Sequence, residues 1–517
     1  MKQLQTLSIV SPGFYGLNTQ ESGLTISNNF AYQANNVVID KSGQLGARQG
    51  WTMQTELGSA QLNNNTIDFL IEHINADNSV VILSAGNNKV FKNGNDADEL
   101  VDITPAGYTP TASHWSGATL LDHALLVQQG HEPLVYTEAG TPNLKTITTL
   151  TGVAQSWGTS YPKHVIGAYG RFWVHDGETI YWSTDIADTA FPAFSGGTSG
   201  TLNIAAIVPN NVDKITALAA HNGFLIIFCE HSIVIYRGAE NPLGDFALSD
   251  VIAGVGCVAR NSIQNTGNDL LFLSDTGVRS LGRVIQEKSL PMRDLTKNVR
   301  DDLIANMKIE RATHGDLDDV CSVYSELYAF YLLSFPTRNM IYCLDMRSAL
   351  EDGSARVTKW TKARTTSFYR TRDRQLLMGK ENGIGKYGSY TDNTAPYTMS
   401  YLSHHTDMGT PTQIKILKNF SATVVGGAGQ QFIIKTNINY NDDARRYVYT
   451  IPAKTISEFN TSEFGIAEFS KGILVETVKE SIAGSGTVIQ VGFEANINGA
   501  SMTVQKVDMF VKTGRIN

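Results

Sequence analysis

The chain has 517 residues, with 41 Lys and Arg against 49 Asp and Glu, a formal charge of −8, 42% apolar and 17% charged residues, 46 Gly and 14 Pro. It can bury large cores, is too apolar for a disordered protein, and has room for two to four domains. The acidic balance, with a sequence pI near 5.8, argues against a surface that grips nucleic acid phosphates all over, and leaves room only for a local basic patch.

The first residues, MKQLQTLSIVSPGF, carry one Lys and a broken apolar stretch before Pro12. No run approaches the ~18 consecutive apolar residues of a spanning helix, so neither membrane insertion nor a secretion signal is expected. Cys229, Cys257, Cys321 and Cys343 lie among apolar residues without C-x-x-C spacing. They read as buried thiols of a protein made in a reducing cytosol, not as a disulfide framework or a zinc site.

Residues 1–60 contain a strand and turn, NNVVIDKSGQLGARQGW, and read as an arm. Short runs of Val, Ile, Phe, Tyr and Leu broken by Gly, Asn and Asp then recur from end to end, which makes the chain all-β. Seven copies of one hairpin pattern follow: SVVILSAGNNKVF from Ser79, ALLVQQGHEPLVY from Ala124, RFWVHDGETIYW from Arg171, GFLIIFCEHSIVIY from Gly223, DLLFLSDTGVRSL from Asp269, LYAFYLLSFPTRNMIYCL from Leu327 and QLLMGKENGIGKY from Gln375. Their first residues are spaced by 45, 47, 52, 46, 58 and 48. One four-stranded propeller blade uses ~40–50 residues, and no blade covers both of its apolar faces alone, so radial stacking explains the persistence of the period. The reading is a six-bladed β-propeller over 61–399, because a terminal hairpin can lie outside the ring or a blade can be closed by strands from both ends of the chain; seven blades are allowed. The competing reading is a large sandwich or multidomain β protein in which the hairpins coincide.

One helix is expected inside the longest gap, Asp294 to Met307, where Leu295, Val299 and Leu303 recur at helical spacing. From 400 to 517 longer strands follow, TQIKILKNFSATVV, QQFIIKTNINY, GTVIQVGFEAN and SMTVQKVDMFVKT. In the last, Val504, Lys506, Asp508 and Phe510 fall on one side, and Gln505, Val507, Met509 and Val511 on the other. This third reads as a β-rich platform domain completed by the N-terminal arm.

Catalytic signatures are scarce. The G-x-x-x-x-G-K-[ST] loop, the H-E-x-x-H pair, the G-x-S-x-G elbow and the S-x-D-x-G-x-T-W turns of sialidase propellers do not occur. The best local metal candidate is His404-His405-Thr406-Asp407. Adjacent strand residues face opposite ways, so only His405 and Asp407 could share an ion, and an exposed polar turn is the plainer reading. No cofactor, metal or catalytic residue is assigned. One basic segment stands against the acidic total: Arg356, Lys359, Lys362, Arg364, Arg370, Arg372 and Arg374, with only Asp373 opposing and Trp360, Phe368 and Tyr369 interleaved. Basic residues among aromatics can hold a nucleic acid strand. The competing reading is a subunit interface, or pairing with acidic loops such as Asp316, Asp318 and Asp319, or Asp96, Asp98 and Glu99.

The order of ANNVVIDKSGQLGARQGW, GRFWVHDGETIYWSTD with a Pro192 turn, HNGFLIIFCEHSIVIYRG and GVGCVARNSIQNTGNDLLFLSDTGVRSL resembles the tail nozzle proteins of short-tailed bacteriophages, also described as tail tubular or DNA-stabilisation proteins. The resemblance implies a six-bladed propeller on a β platform. It implies six copies in a ring below the head-to-tail adaptor, double-stranded DNA passing without sequence specificity, and side contacts with tail fibres or spikes. It transfers no catalytic residue. The expected setting is a virion assembled in the host cytoplasm. The alternative from another class is a glycan-binding or glycan-processing propeller, with carboxylates and aromatics converging at a channel mouth.

Overall fold

The computed structural model describes residues 4–516 except 11–12, 23, 40–42, 95–98, 112–113, 139–141, 159, 188–190, 206, 209–212, 287–293, 442 and 454–474. Seven antiparallel units follow one another, each built on one of the seven hairpins. Sheet I spans 69–102, sheet II 115–146, sheet III 164–203, sheet IV 215–253, sheet V 264–280, unit VI 321–361 and sheet VII 368–387. Within each, strands pair in chain order. The turns are locally encoded: in sheet I, Asn87 and Asn88 both take left-handed backbone, φ 50° and 58°, between the paired residues Gly86 and Lys89. That is the two-residue hairpin geometry that suits the twist of its strands, and Asn tolerates it.

Strand alternation decides what lies between the sheets. Leu125 and Val127 of sheet II pack with Phe172, Val174 and Tyr181 of sheet III, whereas Ala124 and Leu126 of the same strand pack with Phe69 and Leu83 of sheet I. Sheet III meets sheet IV through Trp173, Trp182, Leu225 and Ile227, and sheet IV meets sheet V through Phe228 and Phe272, their rings 5.0 Å apart. Leu273 and Tyr331 join V to VI, Trp360 and Met378 join VI to VII, and Leu377 and Phe91 join VII back to I. Every sheet thus buries both faces against its neighbours and the circle is complete, the defining arrangement of a β-propeller. Burying one such Leu or Phe contributes roughly 1.5–3 kcal/mol, and most of that is won between sheets.

Seven sheets stand in the ring where six blades were expected. The last hairpin does not fall outside, because the arm strand Trp51–Gly58 pairs antiparallel with Gly383–Tyr387, Trp51 opposite Tyr387 and Gly58 opposite Gly383, and supplies its outer strand. Sheet V departs from the four-stranded pattern. It has three strands, and after Ser280 the chain enters the short helix Leu281–Gln286.

The expected helix begins later and ends later, at Arg300–His314. Asp294 accepts from Arg300 at 2.9 and 2.6 Å, Leu295 N–H donates to Val278, and Thr296 Oγ1 accepts from Val278 N–H. Residues 295 and 296 are therefore bound to sheet V and cannot wind. Gly315, at φ 89°, caps the helix by donating to Arg311.

Two further sheets lie outside the ring. The outer strand of unit VI, Arg356–Thr361, bridges to Phe30–Asn35, which pairs with Tyr397–Ser403, then Ile489–Ile497, Gln431–Ile438 and Arg445–Thr450. The second contains Val475–Gly486, Gln413–Gly426, Met502–Ile516, Leu45–Ala47 and Val37–Ile39, with Leu4–Val10 on Met502–Ile516. Phe420, Val424 and Met509 of the latter pack with Phe432, Phe493 and Met399 of the former in one core. Arm residues thus serve two structures: up to Ala47 they join these sheets, and from Trp51 they close the ring. In the last strand a bulge at Gln505 puts Val424 opposite Val504 and Thr423 opposite Lys506. It shifts the alternation by one, so Val504 is buried with Val507, Met509 and Val511 instead of facing away with Lys506.

Arg48 pins the junction. It is 2% exposed, holds Asp392 through two bonds of 2.8 and 2.6 Å, donates to Asn36 Oδ1 at 3.0 Å, and lies 4.1 Å from the centre of the Tyr397 ring.

Candidate functional site

The first strands of all seven units surround one central cavity of about 420 Å³, with Phe69, Trp115, Val165, Leu218, Gln264, Ser322 and Phe368 among its walls. A cavity of that size suits a small molecule. A DNA duplex, whose major groove alone is about 12 Å wide, does not fit it.

One mouth of this cavity is tied across. Arg260, 2% exposed on the turn Arg260–Ser262, pairs with Asp318 at 3.1 Å and donates to the Lys163 carbonyl at 2.5 Å. His114 Nδ1 lies 3.2 Å from the same Asp318 oxygen, and Asn261 donates to the Asp318 carbonyl at 3.1 Å. Segments leading into sheets II, III and V and unit VI are thereby joined. Burial alone would raise the Asp318 carboxyl, but Arg260 and His114 outweigh it and hold it down at about 2. The hydrogen bond to Asp318 raises His114 in turn, against its burial. His164, in the wall, is pushed down to about 3 by burial and by Arg260, and accepts from Leu218 N–H as a neutral ring. His114, Asp316 and Asp318 bring ligand atoms within 4.8 Å of one another. The Arg260 guanidinium already occupies the charge a cation would neutralise there.

Asp68 is the single carboxyl among the described lining residues. Burial, reinforced by Asp319, pushes it up to about 7, while the Thr66 hydroxyl at 2.9 Å and Arg364 oppose. The facing pair of carboxylates that glycoside hydrolysis uses is not assembled among those lining residues.

The basic segment does not form one patch. Arg356 and Lys359 sit on the outer strand of unit VI, paired with Asp345 and Asp302. Lys362 and Arg364 are exposed ahead of the inner strand Phe368–Arg370, whereas Arg370 ends that strand and Arg372 and Arg374 follow it at the opposite end of the ring. There Arg370 pairs with Glu326 at 2.6 Å, and the Arg372 N–H donates to Glu72 at 2.6 Å. The acids that answer this segment are thus Asp345, Asp302, Glu326 and Glu72. Asp318 and Asp319 are bound to Arg260 and His314 instead, Glu99 accepts from the Ala60 N–H, and Asp96 and Asp98 lie outside the described residues. His405 packs on the Tyr440 ring at 4.6 Å, and Asp407 accepts from Gly409 N–H in a turn. All four cysteines are buried and free, and burial pushes Cys229 and Cys257 up to about 12.

Sequence reasoning passed over Arg48, Arg260 and Asp68. The available signal was modest: Arg260 is a lone charge within GVGCVARNSI, and Arg48 sits in GARQGW.

No family model and no curated protein matches the chain. Among solved structures it is similar to the extracellular domain of a hybrid two-component system of B. thetaiotaomicron, at 12% identity, TM-score 0.33, over 78% of this chain and 57% of that one. It is also similar to YCF48 bound to D1 peptide, at 11% identity, TM-score 0.37, over 68% of this chain and 99% of that one. The chain therefore spans little more than half of the first of these. The propeller assignment is drawn from the seven sheets themselves. No helix among the described residues is long and apolar enough to cross a membrane.

Proposed function

We propose that this protein is a structural component of a phage virion, a hexameric tail nozzle below the head-to-tail adaptor. In this reading the seven sheets are the blades of a seven-bladed propeller, and the two outer sheets, which take in residues from both ends of the chain, are its platform. The observation that carries the proposal is the combination of a ring locked by its own N-terminal strand with a central cavity tied across by Arg260 and Asp318. Such a ring is a rigid building block and not itself a conduit, so DNA would pass between subunits around a common axis. A net charge of −8 suits such a conduit, because a strongly basic wall would neutralise phosphates and hold the polymer through contacts that must break repeatedly. Of the basic segment, the exposed Lys362, Arg364, Arg372 and Arg374 are available to neighbouring subunits, fibres or spikes.

Electron-microscope class averages and mass measurement of the purified chain, alone and mixed with the adaptor of the same particle, test this. Six-fold rings of about six times 56.4 kDa, assembling on the adaptor, are the expected result. A persistent monomer with no affinity for adaptor or tail proteins, or a purified sample that turns over a substrate, would overturn it.

A further inference from the structure

Four strands of one outer sheet, Val475–Gly486, Gln413–Gly426, Met502–Ile516 and Leu4–Val10, run between two open edges. Among the described residues Leu4–Val10 pairs only with Met502–Ile516, and Val475–Gly486 only with Gln413–Gly426. An open edge is a row of backbone N–H and C=O groups ready to pair with another chain, and proteins that stay apart guard it with charge, Pro or a bulge. The other long outer edges are guarded. Ala247–Ala253 and Trp51–Gly58 each carry a register shift against the strand beside them, and Arg445–Thr450 opens with two exposed arginines. Leu4–Val10, LQTLSIV, has no charge, no Pro and an unbroken register of seven pairs. It is a strand fit to continue a sheet.

The opposite edge supplies the matching half. From Val475 to Ser481 the pairing with Gln413–Gly426 is also unbroken over seven pairs. It ends at the shift beyond Ser481, where the Tyr447 hydroxyl takes the Ala483 N–H and Arg445 donates to the Ala483 carbonyl. One seven-residue stretch therefore remains on each edge. All three pairings across these four strands are antiparallel, so the two edges run in opposite directions. A copy set beside another by rotation about an axis along the strands meets it antiparallel, like every other pair in this sheet. Full overlap of the two stretches puts Leu7 opposite Val478, both buried, and sets Ser8 opposite Thr477 and Thr6 opposite Lys479, all four exposed. A slip of one residue would turn Leu7 against an exposed side chain and break the core face. We propose that Leu4–Val10 of one copy pairs with Val475–Ser481 of the next, joining copies head to tail in a continuous sheet. Contacts of this kind build closed rings when the rotation closes, and the inference rests on the ring of the nozzle reading.

The full chain tests it. All four native cysteines are buried and free, so Ser8→Cys and Thr477→Cys supply the accessible thiols, and opposite residues of antiparallel strands lie close enough for a disulfide. Mild oxidation of the double variant should give a ladder of covalent multimers up to the hexamer. An equal mixture of the two single variants should give covalent dimers only, and each single variant alone no cross-link. Thr6→Lys sets like charges face to face at Lys479 and should raise the concentration needed for assembly about tenfold, and adding Lys479→Glu should restore it. Rings that form by mass measurement yet give no ladder, or that assemble unchanged with Thr6→Lys, would overturn this contact and leave the nozzle reading standing. Covalent dimers from Ser8→Cys alone would mean that Leu4–Val10 pairs with itself about a two-fold axis, and would overturn it too. A chain that stays monomeric would overturn both readings.

Discussion

Replacing Arg48 with Met should loosen the joint between ring and outer sheets, and its size can be worked from the geometry. Arg48 is almost wholly buried, and the side chain of Asp392, its bidentate partner, is only 15% exposed. Removing one member of a buried pair leaves the other unanswered and costs about 3–5 kcal/mol. Losing the guanidinium over Tyr397 at 4.1 Å adds about 1 kcal/mol. The melting temperature moves by about 2–4 °C per kcal/mol in chains of 150–250 residues, and by less as chains lengthen. A drop of roughly 5–10 °C is therefore expected by calorimetry, together with earlier proteolytic cleavage between Tyr387 and Tyr397. The double variant Arg48→Met with Asp392→Leu leaves no orphan charge and should recover at least half of the loss. An unchanged melting temperature in the single variant, or a double variant no better than the single, would refute the view that this ion pair fastens the arm.

Three other outcomes follow from the ring. Gly117→Val would place a Cβ 2.3 Å from the Phe69 ring between sheets I and II and should cost about 1–3 kcal/mol by denaturant unfolding. Asp68 is raised from 3.8 to about 7, so the folded state keeps a proton that the unfolded chain releases, and stability falls as pH rises through that window. Asp68→Asn should flatten the fall and be more stable than the parent by about 2–4 kcal/mol at pH 8, with no advantage at pH 3. Asp318→Asn strips Arg260 and His114 of their shared anion and should cost about 2–4 kcal/mol at pH 7; because its carboxyl is depressed to about 2, the gap to the parent should persist down to about pH 4 and close below it.

The hairpins were legible because a strand that buries both faces between neighbours is written locally, as an apolar run, a turn of Asn or Gly, and a second run. Leu125 with Leu126, or Phe272 with Leu273, signal two buried faces without any partner in view. The strands of the C-terminal third were equally plain, and so was the cysteines' burial among apolar neighbours. What escaped was every feature that depends on residues far apart in the chain. Whether the seventh hairpin joins the ring is decided by Trp51–Gly58, more than 300 residues away. The helix starts at Arg300 because Val278 captures residues 295 and 296 through hydrogen bonds. The bulge at Gln505 exists only in register with Thr423 and Val424. The basic run from Arg356 to Arg374 looked like one patch in sequence, and the inner strand carries its two halves to opposite ends of the ring. Sequence alone determined the strands, their turns and their two-faced burial, since those depend on near neighbours. Tertiary structure alone decided ring closure and the Arg260 tie, since a strand or a charge acquires its role from whatever the fold sets against it.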